Sequence, residues 1–407
     1  MLLTEQIQLK SSKKLSELCH KAKNLYNLAN WYFRQDFFNL SNILFYNDLY
    51  FILRHKHAYM ELPSGSAQQI IKLVSREWKS YFKASRDYKK NPKKYKRKPN
   101  IPRYKRKDGE YILIFTNQQC KIKNGYLYFP HVFFKIDLKP IKTRIKDNIK
   151  EVRIIPKGIN YNLEIIYEKE EQDFGLEKDH ILSIDLGLNN LITAVNNNSC
   201  KPFIIKGGMI KSINQYYNKQ LAYYRSVAKK VNDKYETKRI QRLHLKRNNK
   251  INTLFHRISK NVIDYCILND IGTIVIGYNK GWKQNINIGK RNNQNFVQVP
   301  FYKLVHQIKY KSELVGIQFV SINESYTSKC SFLDNEEIKK HNKYLGKRIC
   351  RGLFKSSDGT IINADVNGAY NIMKKAFPNS VEVDEIEAFG LMPQIIYQNI
   401  IDTTIRN

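Results

Sequence analysis

The sequence predicts an α+β protein of more than one domain: a small β-barrel carrying a helical insertion, followed by an α/β domain. Three observations predict it. Period-two hydrophobic runs occur at the N-terminus and again over 111–168, with helical periodicity between them. From residue 180 onward, strands and helices follow the order β-β-β-α-β-α-β-α. The 407 residues also exceed what one hydrophobic core normally fills.

MLLTEQIQLK, residues 1–10, alternates as a strand. Leu15, Leu18, Leu25, Leu28 and Trp31 then recur at helical intervals within 13–60. Pro63 and Gly65 break that pattern, and Ser66 is suited to cap the next helix. This helix carries Ile70, Ile71, Val74, Trp78, Tyr81 and Phe82 on one side, with Lys72, Arg76, Lys79 and Lys83 largely off it. Residues 89–107 differ in kind: eleven of nineteen are Lys or Arg, none is acidic, and Pro92, Pro99 and Pro102 forbid a regular helix. Short strands return over 111–168, where Asn124-Gly125 signals a type I′ hairpin. Residues 1–10 are expected to join them, making 1–12 with 108–172 the barrel and 13–107 the insertion.

Strands are expected at 181–187, 191–195, 202–206, 273–278 and 316–322, with helices over 209–268, near 297–314 and from about Asn363. That order is the ribonuclease H-like plan. It defines a domain over 173–376, leaving 377–407 as a C-terminal tail.

The formal charge of +34, from 70 Lys and Arg against 36 Asp and Glu, calls for a polyanionic partner. With 27 tyrosines to stack bases and no long basic amphipathic helix to lie on a membrane, that partner is read as nucleic acid. Candidate contacts are Trp78, Lys93, Lys94, Tyr95, Lys96, Arg97, Lys98, Arg103, Tyr104, Lys105 and Arg106, then Lys238, Arg239, Arg242, Lys246 and Arg247 on the long helical section. Six scattered cysteines make no disulfide framework, and no secretory leader pattern opens the chain, so a cytoplasmic, nucleoid-associated setting is expected.

In HILSIDLGLNNLITAV, Leu182, Ile184 and Leu186 fall on one face of a strand and Asp185 on the other. Asp365 opens the last helix in NADVNGAYN, one turn before Ala369 on its apolar side. Two such carboxylates with a third suit a pair of magnesium ions about 4 Å apart, as used in phosphodiester hydrolysis.

SIDLGLNNL, VIGYNKGWKQ, ESYTSKCS, RGLF and NADVNGAYNI, in this order, resemble the TnpB family of transposon-encoded RNA-guided nucleases, which is related to type V CRISPR effectors. The resemblance covers most of the chain. It implies a RuvC-type domain that cuts double-stranded target DNA beside a short motif, a guide RNA from the transposon end, and two Mg2+ ions. Two departures stand out. The family's usual glutamate falls on Gly277, and the nearest substitute is Glu324, beyond the fifth strand of the domain. The expected site is therefore Asp185, Glu324 and Asp365, with the acid moved by one strand. The family's paired CxxC motifs read CSFL from Cys330 and CRGL from Cys350, which with His341 leaves three ligands in an insertion over 323–362. Zinc is not expected there, and Leu333 and Leu353 are expected to form an apolar cluster in its place. The alternative to a nuclease is a cleavage-deficient RNA-guided DNA-binding repressor. Oligomeric state, monomer or dimer, is left open.

Overall fold

The computed structural model describes residues 1–39, 43–130, 138–233, 235–279, 281, 289, 297–383 and 388–396. The chain divides into two compact units, Met1–Lys169 and Glu170–Asn407.

The first unit opens with β1 (Leu2–Lys10) and a helical block: α1 (Lys13–Asn39), α2 (Tyr46–Leu53), α3 (His57–Met60) and α4 (Ser64–Lys90). Ser66 does not cap α4; the helix begins at Ser64 after Pro63, and Ser66 is buried in its first turn. After a basic segment come β2 (Leu113–Thr116), β3 (Lys121–Lys123), β4 (Tyr126–Tyr128), β5 (Ile141–Lys142), β6 (Ile149–Pro156) and β7 (Asn160–Glu168). Asn124 and Gly125 both have positive φ, 53° and 74°, as a type I′ turn requires.

Among the described residues these strands form two sheets, β1-β7-β6-β2 and β3-β4-β5, and not the closed barrel expected from the sequence. β1 pairs with β7 along its full length, so the N-terminal strand does join the later ones, but β1 and β2 remain the two edges of their sheet. The apolar face of that sheet is covered by helices together with Leu127 of β4 and Phe129 beyond it. Leu113, Phe115, Val152, Ile154 and Leu163 share one core with Ile70, Val74 and Trp78.

The second unit contains β8 (Ile181–Asp185), β9 (Asn190–Asn196), β10 (Phe203–Lys206), α5 (Gly208–Asn232), α6 (Lys238–Leu268), β11 (Thr273–Gly277), α7 (Phe301–Glu313), β12 (Gln318–Ile322) and α8 (Ala364–Ala376). Between β12 and α8 lies a small sheet of β13 (Lys347–Cys350), β14 (Leu353–Lys355) and β15 (Ile361–Asn363). The main sheet runs β12-β11-β8-β9-β10-β16, with β8, β11 and β12 parallel and β9 antiparallel to both its neighbours. Its outermost strand, β16 (Gln394–Ile396), pairs in parallel with β10, so the stretch read as a tail contributes to the sheet. Residues 397–407 lie outside the described residues.

One face of this sheet places Leu182, Ile184 and Leu186 in a core with Phe255 and Ile258 of α6 and Leu304 and Ile308 of α7. The opposite face places Ile181, Val195 and Val275 against Val366, Ala369, Ile372 and Met373 of α8. The two-residue period of β8 thus sends Leu182 and Ile184 to one layer and Ile181, Ser183 and Asp185 to the α8 side. Ser183 Oγ donates to Ala369 O at 2.7 Å.

Candidate active site

Asp185 ends β8. Ile184 pairs with Ile276, which brings Gly277, the next residue of β11, level with Asp185. Gly277 in turn pairs with Ile322 of β12, two residues before Glu324. β11 therefore lies between the two acids, as the sequence required. A Cβ at position 277 would stand 2.5 Å from Ile372 Cδ1 and 3.2 Å from Glu324 Cβ. Glycine leaves that space to the isoleucine of α8 and to the glutamate arriving from the neighbouring strand.

Asp365 stands in the first turn of α8, which Asn363 caps by accepting from the Asp365 and Val366 N–H groups at 3.0 and 3.2 Å. The Asp365 carboxylate accepts from Asn190 Nδ2 at 2.5 Å and from Arg348 Nη2 at 3.3 Å. Gly368, one turn on, keeps the helix open to Asp185: a Cβ there would meet Asp185 Oδ2 at 3.3 Å.

The electrostatics tie the three acids together. Burial, and then the negative charge of Asp365, raise the Asp185 carboxyl to about 7. Burial, and then the charge of Asp185, raise Glu324 to about 8. Among the described residues, Glu324 Oε2 is buried without a hydrogen-bond partner. A buried carboxylate oxygen with no donor is costly, and repulsion between neighbouring acids compounds it. A hard divalent cation relieves both, and an all-oxygen donor set suits one. Asp365 now faces Arg348 and Asn190, and among the described residues no three His, Cys, Asp or Glu side chains are gathered closely enough to close on one ion. Arg348, on β13, is the site residue that sequence reasoning missed. Its approach depends on how the small sheet folds back on α8, and no local pattern encodes that.

In the insertion, Cys330 is buried with its thiol directed at the Glu337 and Lys339 carbonyls, 3.5 and 3.6 Å away, whereas Cys350 is exposed. His341 Nε2 lies 2.7 Å from Glu337 O. The apolar cluster expected from two leucines is centred instead on Phe332 and Phe354, with Phe332 stacked on Tyr370 at 4.7 Å and Leu333 at the margin. The buried Glu336 carboxylate accepts from Ser331 N at 2.7 Å and Leu345 N at 3.1 Å, fastening the two arms of the loop.

Among the candidate nucleic-acid contacts, Trp78 is corrected. It is fully buried, stacks on Phe33 at 4.3 Å and donates its Nε1–H to Asn30 Oδ1 at 2.9 Å, so its ring is core and offers no face to a base. Lys93, Lys96, Arg97, Lys98, Arg103, Tyr104 and Arg106 are exposed. Lys94 and Tyr95 both bind the Asp87 carboxylate, at 2.8 and 2.7 Å. Lys105 is held between the Tyr26 and Tyr111 rings and beside Glu77. On α6, Arg239 lies over the Tyr224 ring at 4.4 Å, and Lys238, Arg242 and Lys246 lie along the same helix. Arg247 is turned inward, donating to Asn214 Oδ1 and Gln298 O at 2.8 and 2.6 Å.

The backbone of the basic segment is fixed by a ladder of α1 side chains. His20 Nδ1 meets Gly109 O at 3.1 Å, Lys23 Nζ donates to Lys107 O at 2.6 Å, and Asn30 and Arg34 donate to Pro102 O at 3.3 and 3.0 Å. Asn27 binds Lys105 through both its carbonyl and its N–H, at 3.0 and 2.8 Å. Residues 20, 23, 27, 30 and 34 share one helix face, so the segment lies extended along α1.

A chain so organised is a mixed α/β protein with acids at one end of a central sheet, and comparison with known proteins specifies the class. The OrfB_IS605 family model, described as a probable transposase, matches residues 164–283, and the Cas12f1-like TNB domain model matches 301–372. The TnpB-like protein ORF457 of Acidianus two-tailed virus is 23% identical, over 92% of this chain and 85% of the relative. The CRISPR-associated endodeoxyribonuclease Cas12f1 of Sulfoacidibacillus thermotolerans is 28% identical, over 80% of this chain and 79% of the relative. The solved structure of the mini-RNA-guided endonuclease CRISPR-Cas phi3 shares the fold, with a TM-score of 0.51, 11% identity and coverage of 97% and 94% of the two chains. The chain is thus similar, in separate stretches and at low identity over most of its length, to TnpB-like and Cas12f proteins. No helix among the described residues is long and apolar enough to cross a membrane.

Proposed function

We propose that this protein is an RNA-guided DNA endonuclease, encoded by a transposon, with a RuvC-type site formed by Asp185, Glu324 and Asp365. The observation that carries the reading is the exchange at Gly277. The usual acid position is empty of side chain, and a carboxylate from just beyond the next strand fills the neighbouring space with a buried oxygen that has no partner among the described residues. The strand order β12-β11-β8-β9-β10, with β9 alone antiparallel to its neighbours, supports a ribonuclease H-like sheet. The relatives named as endodeoxyribonucleases support the reaction class.

Asp185, Glu324 and Asp365 would hold the Mg2+ ions, which when bound activate water and neutralise the departing oxygen. Arg348, with its side chain 52% exposed beside Asp365, supplies a cation against which a phosphate can dock. Burial of Glu324 Oε2 keeps that carboxylate oxygen away from bulk water. Arg103, Tyr104 and Arg106 project from a backbone already fixed on α1 and serve as contacts to guide or target phosphates. Pairing of guide RNA with one strand reads sequence, while the protein supplies the charged channel and a short motif reader, expected among residues 1–170.

The test is cleavage of a plasmid matched to the RNA that copurifies with the protein. Cutting that needs the match, stops on chelation of divalent metal and is lost in Asp185→Ala establishes the reading. Matched binding without any cutting by the wild type replaces it with the repressor.

A further inference from the structure

An acid at the end of a strand has its place set by sheet register. Glu324 has no such support: β12 ends at Ile322, and the carboxylate stands on the loop that follows. Something else must fix it. The Glu324 N–H donates to Asn279 Oδ1 at 3.1 Å, from the residue pair that follows β11. The Glu324 carbonyl accepts from Thr327 Oγ1 at 2.8 Å. Thr327 is buried, and its own carbonyl accepts from Asn371 Nδ2 of α8 at 2.9 Å, in a side chain with no exposure. The same Asn371 Nδ2 reaches Cys330 O at 2.8 Å, and Asn367 binds this loop at both ends, donating to Cys330 O and accepting from Phe332 N, each at 2.9 Å. Between them Tyr326 has a φ of 71°, a left-handed conformation that an aromatic residue adopts only when its surroundings hold it.

We infer that Asn279, Thr327 and Asn371 are positioning residues that replace sheet register for the relocated carboxylate, and that α8 sets Glu324 through Asn371 and Thr327. This rests on the site reading above. The helix that carries Asp365 thereby also governs the third acid, so that two of the three carboxylates move with one element. The arrangement is a consequence of the exchange at Gly277: moving the acid off β11 removes its covalent placement and transfers it to side-chain hydrogen bonds.

The experiment uses the full chain with its copurified RNA and four variants: Thr327→Val, Thr327→Ser, Asn279→Ala and Glu324→Ala. Mn2+ binding is measured by electron paramagnetic resonance, matched-target binding by filter retention, and single-turnover cleavage alongside. Thr327→Val and Asn279→Ala are expected to weaken Mn2+ binding and slow cleavage by about 10- to 100-fold, the usual effect of losing a supporting hydrogen bond at a metal site. Target binding stays at the wild-type level, and Thr327→Ser, which keeps the hydroxyl, restores both. If Thr327→Val and Asn279→Ala bind Mn2+ and cut as the wild type does while Glu324→Ala does neither, the positioning role is wrong and the site stands. If Glu324→Ala itself binds Mn2+ and cuts normally, the site reading falls and the positioning role falls with it.

Discussion

Asp185 and Glu324 hold protons to about pH 7 and about 8 in the folded chain. In an unfolded chain, carboxyls of these types lose them near pH 4. The folded state therefore binds more protons between about pH 4 and 8, and without metal its stability falls as pH rises through that window. A divalent cation binds the ionised forms, so its stabilising effect grows over the upper part of the same window. Thermal denaturation with and without Mg2+ at about pH 6 and about pH 8 checks this. The metal-dependent rise in Tm should be larger at the higher pH, and Asp185→Asn should stabilise the metal-free protein there by roughly 1–3 kcal/mol. A Tm rise that ignores pH would contradict it. Gly277 gives a second test at this scale. Ile372 already occupies the space of a 277 side chain, so the double variant Gly277→Glu with Glu324→Ala should not regain cleavage, and Gly277→Glu alone should be destabilised by about 1–3 kcal/mol. Recovery of cutting in the double variant would show that strand four still accepts the acid. Asp185 and Asp365 were legible because a strand and a capped helix each announce themselves locally. Arg348 was not, since it reaches Asp365 only through the folding of β13 onto α8.

At the scale of elements, the sequence told strands from helices well and told how they close much less well. Period two marks which residues alternate but carries no information about which edges meet, and so it predicts a barrel where the described strands form two open sheets packed with helices on one core. Trp78 shows the same limit: on an apolar stripe beside lysines, an indole can face core or nucleic acid, and only the stacked Phe33 and the Asn30 acceptor decide it. The prolines of the basic segment forbid a regular helix, and beyond Lys90 it forms a 3-10 turn at Pro92–Lys94; its partner α1, however, begins 76 residues before it, and five polar residues in a helical row look like an ordinary solvated face. That ladder predicts that Asn27→Leu, which removes two hydrogen bonds to Lys105, destabilises the protein by about 1–3 kcal/mol. It should also weaken RNA binding with no cation removed. Equal RNA affinity in the variant, measured beside its denaturation curve, would show that the segment needs no preset backbone.

For the whole molecule, a charge of +34 on 407 residues is a statement about partners. RNA affinity should fall linearly on a logarithmic salt scale, and neutralising Arg103 and Arg106 should reduce the slope by about one for every phosphate that is no longer engaged. An unchanged slope would place the phosphate-binding cations elsewhere on the protein. That charge, the two compact units and the site at the end of the central sheet converge on one claim: a guided nuclease whose third carboxylate comes from beyond strand five of its sheet. The most direct measurement is single-turnover cleavage of a matched plasmid by the RNA-loaded Glu324→Gln variant beside the wild type, with target binding measured in the same samples. Unchanged binding and a loss of cutting of about 100-fold or more are expected. Cleavage by Glu324→Gln at the wild-type rate would contradict it.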